Sequence, residues 1–230
     1  MKLKEQHFLI DIDGTITRYR ETAKRPESTL FHNCFLPVIR DLMLSRGWDR
    51  EAAEKALFES VNNVLRWDYG ELLRKFRVPR EEAEMAMRQR HEEMLDVWPD
   101  TVDLIRHLHS AGAHLYIISN NPYWGCRWKL QRANLNTTVF EHIFSTDHTG
   151  GCKSLDYVWE FVLARIGAEP DRINTLGDDP REDGILPLSM GAGRAFILAR
   201  RETEKNADPR IHLLENALDV LDFFQQKENP

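Results

Sequence analysis

The chain has 230 residues, of which 42% are hydrophobic and 30% charged. That is enough length and apolar content for one large domain, or for a core carrying a smaller insert, and it excludes a disordered chain. With 31 Lys and Arg against 37 Asp and Glu, the formal net charge is −6. No global field therefore draws the chain to nucleic acid or anionic lipid, and phosphate has to be handled by a few placed cations.

Phe8–Ile12 is the first short apolar run, with the look of a buried parallel strand. The segment Met1–His7 leads straight into it, so no signal peptide is expected. From Arg18 to Val97 no strand is evident, and helical patterns follow one another: Leu36–Leu44, Arg50–Leu65, Tyr69–Phe76, and a Pro79-led run through Met94. Eighty residues without a strand is too long for a simple crossover, so the block reads as an inserted helical subdomain. Trp98-Pro99-Asp100 returns the chain to a helix over Thr101–Ala111. Strands Leu115–Ile118 and His142–Phe144 follow, then a helix over Leu155–Ile166, strands Ile173–Leu176 and Ala195–Leu198, and a last helical pattern over Ile211–Phe224. This alternation predicts an α/β fold, a Rossmann-like parallel sheet core formed by residues 1–17 and 98–230, with the all-helical insert at 18–97. No window approaches ~18 uninterrupted apolar residues, so no transmembrane helix is expected. Cys34, Cys126 and Cys152 are odd in number and widely spaced, as reduced thiols of a cytoplasmic protein would be.

Asp11-Ile12-Asp13-Gly14-Thr15 follows directly on the first strand. In an open α/β sheet ligands sit beyond the carboxyl ends of strands, so the doublet lies at the right end for a site. A second acidic cluster, Gly177-Asp178-Asp179-Pro180-Arg181-Glu182-Asp183, follows another buried strand. Two unit charges ~4 Å apart repel by ~4 kcal/mol at an effective dielectric near 20. A bound hard cation removes that cost, and oxygen-only ligands favour Mg²⁺ over Zn²⁺. Neither an EF-hand ligand series nor a His/Cys zinc spacing is present. Ser119-Asn120-Asn121 ends the second core strand with a hydroxyl and amides suited to an anion nest, and Lys153 supplies a point charge after the third.

Taken in order, Asp11-x-Asp13-Gly14-Thr15, Ser119-Asn120, Lys153 and Gly177-Asp178-Asp179 with Asp183 resemble the haloacid dehalogenase-like hydrolase superfamily over nearly the whole chain. The helical insert is similar to the cap of its phosphatase and phosphomutase members, with hinges expected near Arg18–Arg20 and Val97–Pro99. The resemblance implies that Asp11 is the nucleophile and forms an aspartyl-phosphate, while Asp13 protonates the leaving oxygen and then activates water. Ser119, the amide of Asn120 and Lys153 would hold the phosphoryl oxygens. Mg²⁺ would be held by Asp11, the carbonyl of Asp13, and Asp178, with Asp179 or Asp183 in direct or indirect contact. Contact with the cation is expected to keep the pKa of Asp11 low, and the neighbouring carboxylate to raise that of Asp13.

The implied activity is Mg²⁺-dependent hydrolysis of a small phosphorylated metabolite. The alternatives are a sugar phosphomutase or other phosphoryl transferase of the same superfamily, and a non-catalytic binding protein, which the intact acidic set disfavours. Asn121 stands where many relatives carry Gly, Ser154 where Pro is common, and Pro187 in a segment usually richer in Ala. No nucleic-acid or membrane partner is expected. The oligomeric state stays open, a homodimer included.

Overall fold

The computed structural model describes residues 3–19, 35–61, 69–200 and 208–225. Arg20, Cys34 and the end of the expected Arg50–Leu65 helix lie outside them. In chain order the elements are β1 (His7–Ile10), β2 (Thr17–Tyr19), α1 (Leu36–Ser45), α2 (Arg50–Val61), α3 (Tyr69–Lys75), α4 (Arg80–Met94) and β3 (Leu95–Val97). Then come α5 (Pro99–Ser110), β4 (His114–Ile118), α6 (Tyr123–Arg132), β5 (His142–Phe144), α7 (Thr146–Thr149), α8 (Asp156–Ile166) and β6 (Ile173–Gly177). A π-helical turn, Pro180–Ile185, leads into α9 (Leu186–Ser189), β7 (Arg194–Leu198), β8 (Ile211–Leu214) and α10 (Asp222–Gln225).

The chain divides into two compact units, Met1–Arg18 with Val97–Pro230, and Tyr19–Asp96. The larger is built on a six-stranded sheet of order β5-β4-β1-β6-β7-β8, parallel throughout. Side chains alternate across it, so Phe8 and Ile10 join one core with α5, α6 and the C-terminal segment, while Leu9 joins a second with α8 and α9. Cover on both faces explains why these strands read as continuous apolar runs rather than alternating ones. From β1 the chain goes to β4 and β5 on one side, then returns to β6 on the other. That reversal opens a crevice at the carboxyl end of β1.

The smaller unit is helical. Val38, Ile39 and Met43 of α1 are buried, Trp48 meets the Phe76 ring edge-on at 6.2 Å, and Arg46 pairs with Glu82 at 2.5 Å.

Two elements differ from the sequence reading. The short strands β2 and β3 pair with each other; at three residues each they are too brief to carry a period. The helical pattern over Ile211–Phe224 breaks up into edge strand β8, which continues the sheet beside β7, a 3₁₀ turn over Ala217–Leu221, and α10. The spacing of Ile211, Leu214, Leu218 and Leu221 imitates a helix. The open edge of β7 takes the first four residues, and Asn216 restarts the chain by accepting the Leu218 N–H at 2.9 Å.

Candidate active site

The site residues lie where β1, β4 and β6 end, the last two flanking the first. The Asp11 N–H donates to the Leu176 carbonyl at 2.9 Å, so the peptide ladder carries one residue past β1 and fixes Asp11 at the mouth of the crevice. The chain then turns: the Gly14 N–H donates to the Thr17 carbonyl, and Gly14 takes φ +85°, a conformation open to glycine at little cost. A second reason for glycine is space. A Cβ at Gly14 would fall 2.0 Å from Asp178 Oδ2, and one at Gly177 2.0 Å from Asp183 Oδ2. Two glycines thus let the acidic segments approach each other closely.

Carboxylate oxygens of Asp11, Asp178 and Asp183 lie within 4.8 Å of one another, and Asp11 and Asp183 are buried. Lys153 bridges two of them, its Nζ 2.7 Å from Asp11 Oδ1 and 2.6 Å from Asp183 Oδ1. Burial pushes the pKa of Asp11 well above the ordinary carboxylate value; Lys153 pulls it down, and Asp183, Asp178 and Asp13 add to the rise. Asp183 is raised as well, by burial against the pull of Lys153. For Lys153 burial alone favours the neutral amine, but Asp11, Asp183 and Glu182 outweigh it and hold the ammonium charged. Burial keeps the push on Asp11 upward despite Lys153, and a hard divalent cation seated among these oxygens would reverse it. The residues present therefore fit Mg²⁺.

Asp179 stands apart from this group. Its carboxylate accepts the backbone N–H groups of Arg181 and Glu182 at 2.8 and 2.9 Å, capping the π-helical turn that swings Asp183 back into the site. The side chain of Asn120 has a framework task too: Nδ2 donates to Glu182 at 2.8 Å, and Oδ1 accepts the Lys153 N–H at 2.7 Å. Lys153 is held from behind by Trp159, fully buried, whose indole N–H donates to its carbonyl at 2.8 Å.

Asp13 turns to a different partner. Lys129 Nζ is 2.8 Å from both of its oxygens, Asn121 Nδ2 donates to Oδ2 at 2.7 Å, and Thr17 Oγ1 donates to Oδ1 at 3.0 Å. Burial raises the pKa of Asp13, but the charge of Lys129 and the hydrogen bonds from Asn121, Lys129 and Thr17 outweigh that and leave it below the usual carboxylate value. This reverses the direction expected from a neighbouring carboxylate alone. Asn121 also donates to Ser119 Oγ at 2.7 Å and accepts from Lys129 at 2.7 Å, which joins Ser119 to Asp13.

Sequence reasoning passed over Lys129, Asn121 as a hydrogen-bonding group, Glu182 and Trp159. A signal existed for Lys129. It shares the buried stripe of α6 with Cys126, Leu130 and Ala133, where a lysine requires a carboxylate. Cys126 and Cys152 are buried and outside any disulfide, and burial pushes the Cys126 thiol up to about 12, far from reactive. Among the described residues no helix is long and apolar enough to cross a membrane.

The acidic trio, the buried lysine and the second aspartate two residues past the first thus gather at the switch point of a doubly wound sheet. The family model for haloacid dehalogenase-like hydrolases matches residues 6–185, and the chain belongs to that family. A glyceraldehyde 3-phosphate phosphatase of Methanothermobacter thermautotrophicus is 32% identical over 139 residues. The match spans 59% of this chain and 59% of that protein. A HAD phosphatase from Thermococcus onnurineus superposes with a TM-score of 0.69 at 22% identity, covering 95% of this chain and 97% of the other. The magnesium-bound HAD-hydrolase YfnB from Bacillus subtilis, described as revealing interdomain movement, gives 0.59 at 15% identity over 95% and 97%. At these identities the two structures speak for the fold.

Proposed function

We propose that the protein is a Mg²⁺-dependent phosphomonoester hydrolase that acts on a small phosphorylated metabolite through an aspartyl-phosphate on Asp11. The observation that carries the reading is the convergence of Asp11, Asp178 and Asp183 around Lys153, with Asp13 two residues beyond the nucleophile and held apart from that group. The phosphatase relative supports it.

Asp11, Asp178 and Asp183 would hold Mg²⁺ with the Asp13 carbonyl, and the cation would screen the phosphoryl oxygens from the carboxylates. Asp11 Oδ attacks phosphorus as the ester oxygen leaves, and Asp13 gives that oxygen a proton. In the second half Asp13 takes a proton from water, the hydroxide attacks phosphorus, and Asp11 departs as a carboxylate. Lys153, the Ser119 hydroxyl and the Asn120 amide hold the phosphoryl oxygens through both halves. Asp179 serves this arrangement by capping the turn that carries Asp183. Residues 18–97 act as a cap that opens for substrate and closes for chemistry. A cytoplasmic setting belongs to the same reading, supported by buried Cys126 and Cys152, which form no disulfide.

The test is phosphate release across a panel of phosphorylated metabolites, with and without Mg²⁺. The expected result is turnover that is lost on chelation, abolished with the phosphoenzyme in Asp11→Asn, and shifted to higher Mg²⁺ in Asp178→Asn. Full activity after exhaustive chelation, or a labelled phosphoenzyme in Asp11→Asn, would overturn it. Transfer that needs a bisphosphate activator would assign the chain to the phosphomutases instead.

A further inference from the structure

Lys129 is fully buried on α6, the helix that follows Ser119-Asn120-Asn121. Its ammonium has three protons and three close acceptors: Asp13 Oδ1 and Oδ2, each at 2.8 Å, and Asn121 Oδ1 at 2.7 Å. The carboxylate of Asp13 is equally engaged. Oδ1 accepts from Thr17 and Lys129, and Oδ2 accepts from Asn121 and Lys129. Asn121 is 5% exposed and completes the frame, one amide proton on Asp13 and the other on Ser119 Oγ. Yet 36% of the Asp13 side-chain surface stays open. A carboxylate held at both oxygens by Lys129 and Asn121, with a Thr17 hydroxyl that can turn instead to the Ile12 carbonyl at 3.2 Å, is fixed in direction and still reachable.

We propose that Lys129, with Asn121, is a positioning residue for the proton transfers at Asp13: it aims the carboxylate at the leaving oxygen and then at the attacking water, and touches neither. The proposal rests on the reading of Asp13 as the proton carrier. Proton balance is kept by Asp13 alone, which gives one proton to the leaving oxygen and regains one from water, while Lys129 keeps its three protons throughout. A buried ion pair serving only the fold would have no reason to share a side chain with Ser119. The frame instead sets the spacing between the phosphoryl-binding hydroxyl and the proton carrier, and errors of about 1 Å there can cost ~100-fold in rate.

The experiment compares kcat and KM for an alkyl phosphate and for p-nitrophenyl phosphate, whose leaving group needs little protonation. The variants are Lys129→Met, Lys129→Arg, Asn121→Ala, Asp13→Asn and the Asp13→Asn/Lys129→Met double variant. In Lys129→Met we expect alkyl-phosphate kcat to fall by about 10- to 100-fold, the aryl rate by far less, and the alkyl KM to hold, with partial recovery in Lys129→Arg. In the Asp13→Asn background, adding Lys129→Met should cost nothing further, because its target is gone. Equal losses on the two substrates, or an undiminished loss in the double variant, would overturn the positioning role. If Lys129→Met does not fold, the aryl-to-alkyl rate ratio of Asn121→Ala carries the test: a raised ratio supports the role and an unchanged one overturns it. Unchanged alkyl turnover in Asp13→Asn would overturn the underlying reading and this proposal with it, and that failure shows in the single variant, separately from the Lys129 series.

Discussion

Gly14→Ala isolates the close approach of the two acidic segments. Gly14 and Gly150 both have positive φ, +85° and +70°, but a Cβ at Gly150 meets nothing within 4 Å, whereas one at Gly14 falls 2.0 Å from Asp178 Oδ2. Both substitutions carry the left-handed backbone cost of about 1–2 kcal/mol, partly offset by a stiffer unfolded chain. In a chain of this size that lowers Tm by about 2–8 °C. Gly14→Ala adds a displacement: the Asp178 carboxylate has to retreat by about 1 Å or more to clear the methyl group. If Asp178 holds the cation, the Mg²⁺ needed for half-maximal phosphate release should rise by about 10- to 100-fold, the usual loss when a ligand is misaligned. Gly150→Ala should leave that requirement unchanged. Thermal unfolding with and without Mg²⁺, run beside a Mg²⁺ titration of phosphate release, reads both effects. Matching Mg²⁺ curves for the two variants would refute the reasoning.

Two further outcomes test the surroundings of the site. Burial, followed by the charge of His114, lowers the pKa of His7, whose ring stacks on that of His114 at 4.4 Å; the unfolded chain therefore binds more protons just below pH 6.5, and stability is full above that value and falls as pH drops through 6.5 toward the folded pKa. Comparing urea midpoints of the wild type and His7→Gln between pH 7.5 and 5 should show a smaller acid loss in the variant, and parallel curves would contradict the assignment. Trp159→Phe removes the hydrogen bond to the Lys153 carbonyl; a loss of about 1–3 kcal/mol is expected, together with a lower kcat, and unchanged kcat would separate Trp159 from the placement of Lys153.

The fold was legible where side-chain pattern and burial coincide. Each core strand from β1 to β7 is an apolar run because both faces are covered, and the helical runs around α1 to α4 carry their own spacing. β8 was not legible, since Ile211-His212-Leu213-Leu214 becomes a strand through the free edge of β7, a long-range circumstance that no local period encodes. The convergence of Asp11, Asp178, Asp183 and Lys153 could be read because each follows a strand end and the topology brings those ends together. The framework work of Asp179 and Asn120 could not: Asp179 Oδ1 accepts two backbone N–H groups, and the Asn120 side chain, as distinct from its backbone amide, joins Glu182 to the Lys153 N–H. Asn121 registered as part of an anion nest and as a departure from glycine, and not as the side chain whose amide ties Ser119 to Asp13.

The two aspartates of the first motif lie two residues apart, yet each faces a lysine of its own. Asp11 meets Lys153 in a group that also contains Asp178 and Asp183, so its lysine is shared among carboxylates. Asp13 meets buried Lys129, which among the described residues pairs with no second carboxylate, and the two charges cancel. An uncancelled site attracts a cation, and a cancelled one does not. On the proposed reading, the same separation would draw a metal to Asp11 and keep it from the carboxylate of Asp13, which would leave that carboxylate free of the metal for its part in proton transfer. Neutralising Lys129 should remove the distinction, so in Lys129→Met the Asp13 carboxylate becomes a competing ligand for divalent ions. Inhibition by excess Mg²⁺ that is absent from the wild type is then expected in phosphate-release titrations. Identical high-Mg²⁺ behaviour of the two proteins would show that charge cancellation is not what keeps the metal on one aspartate.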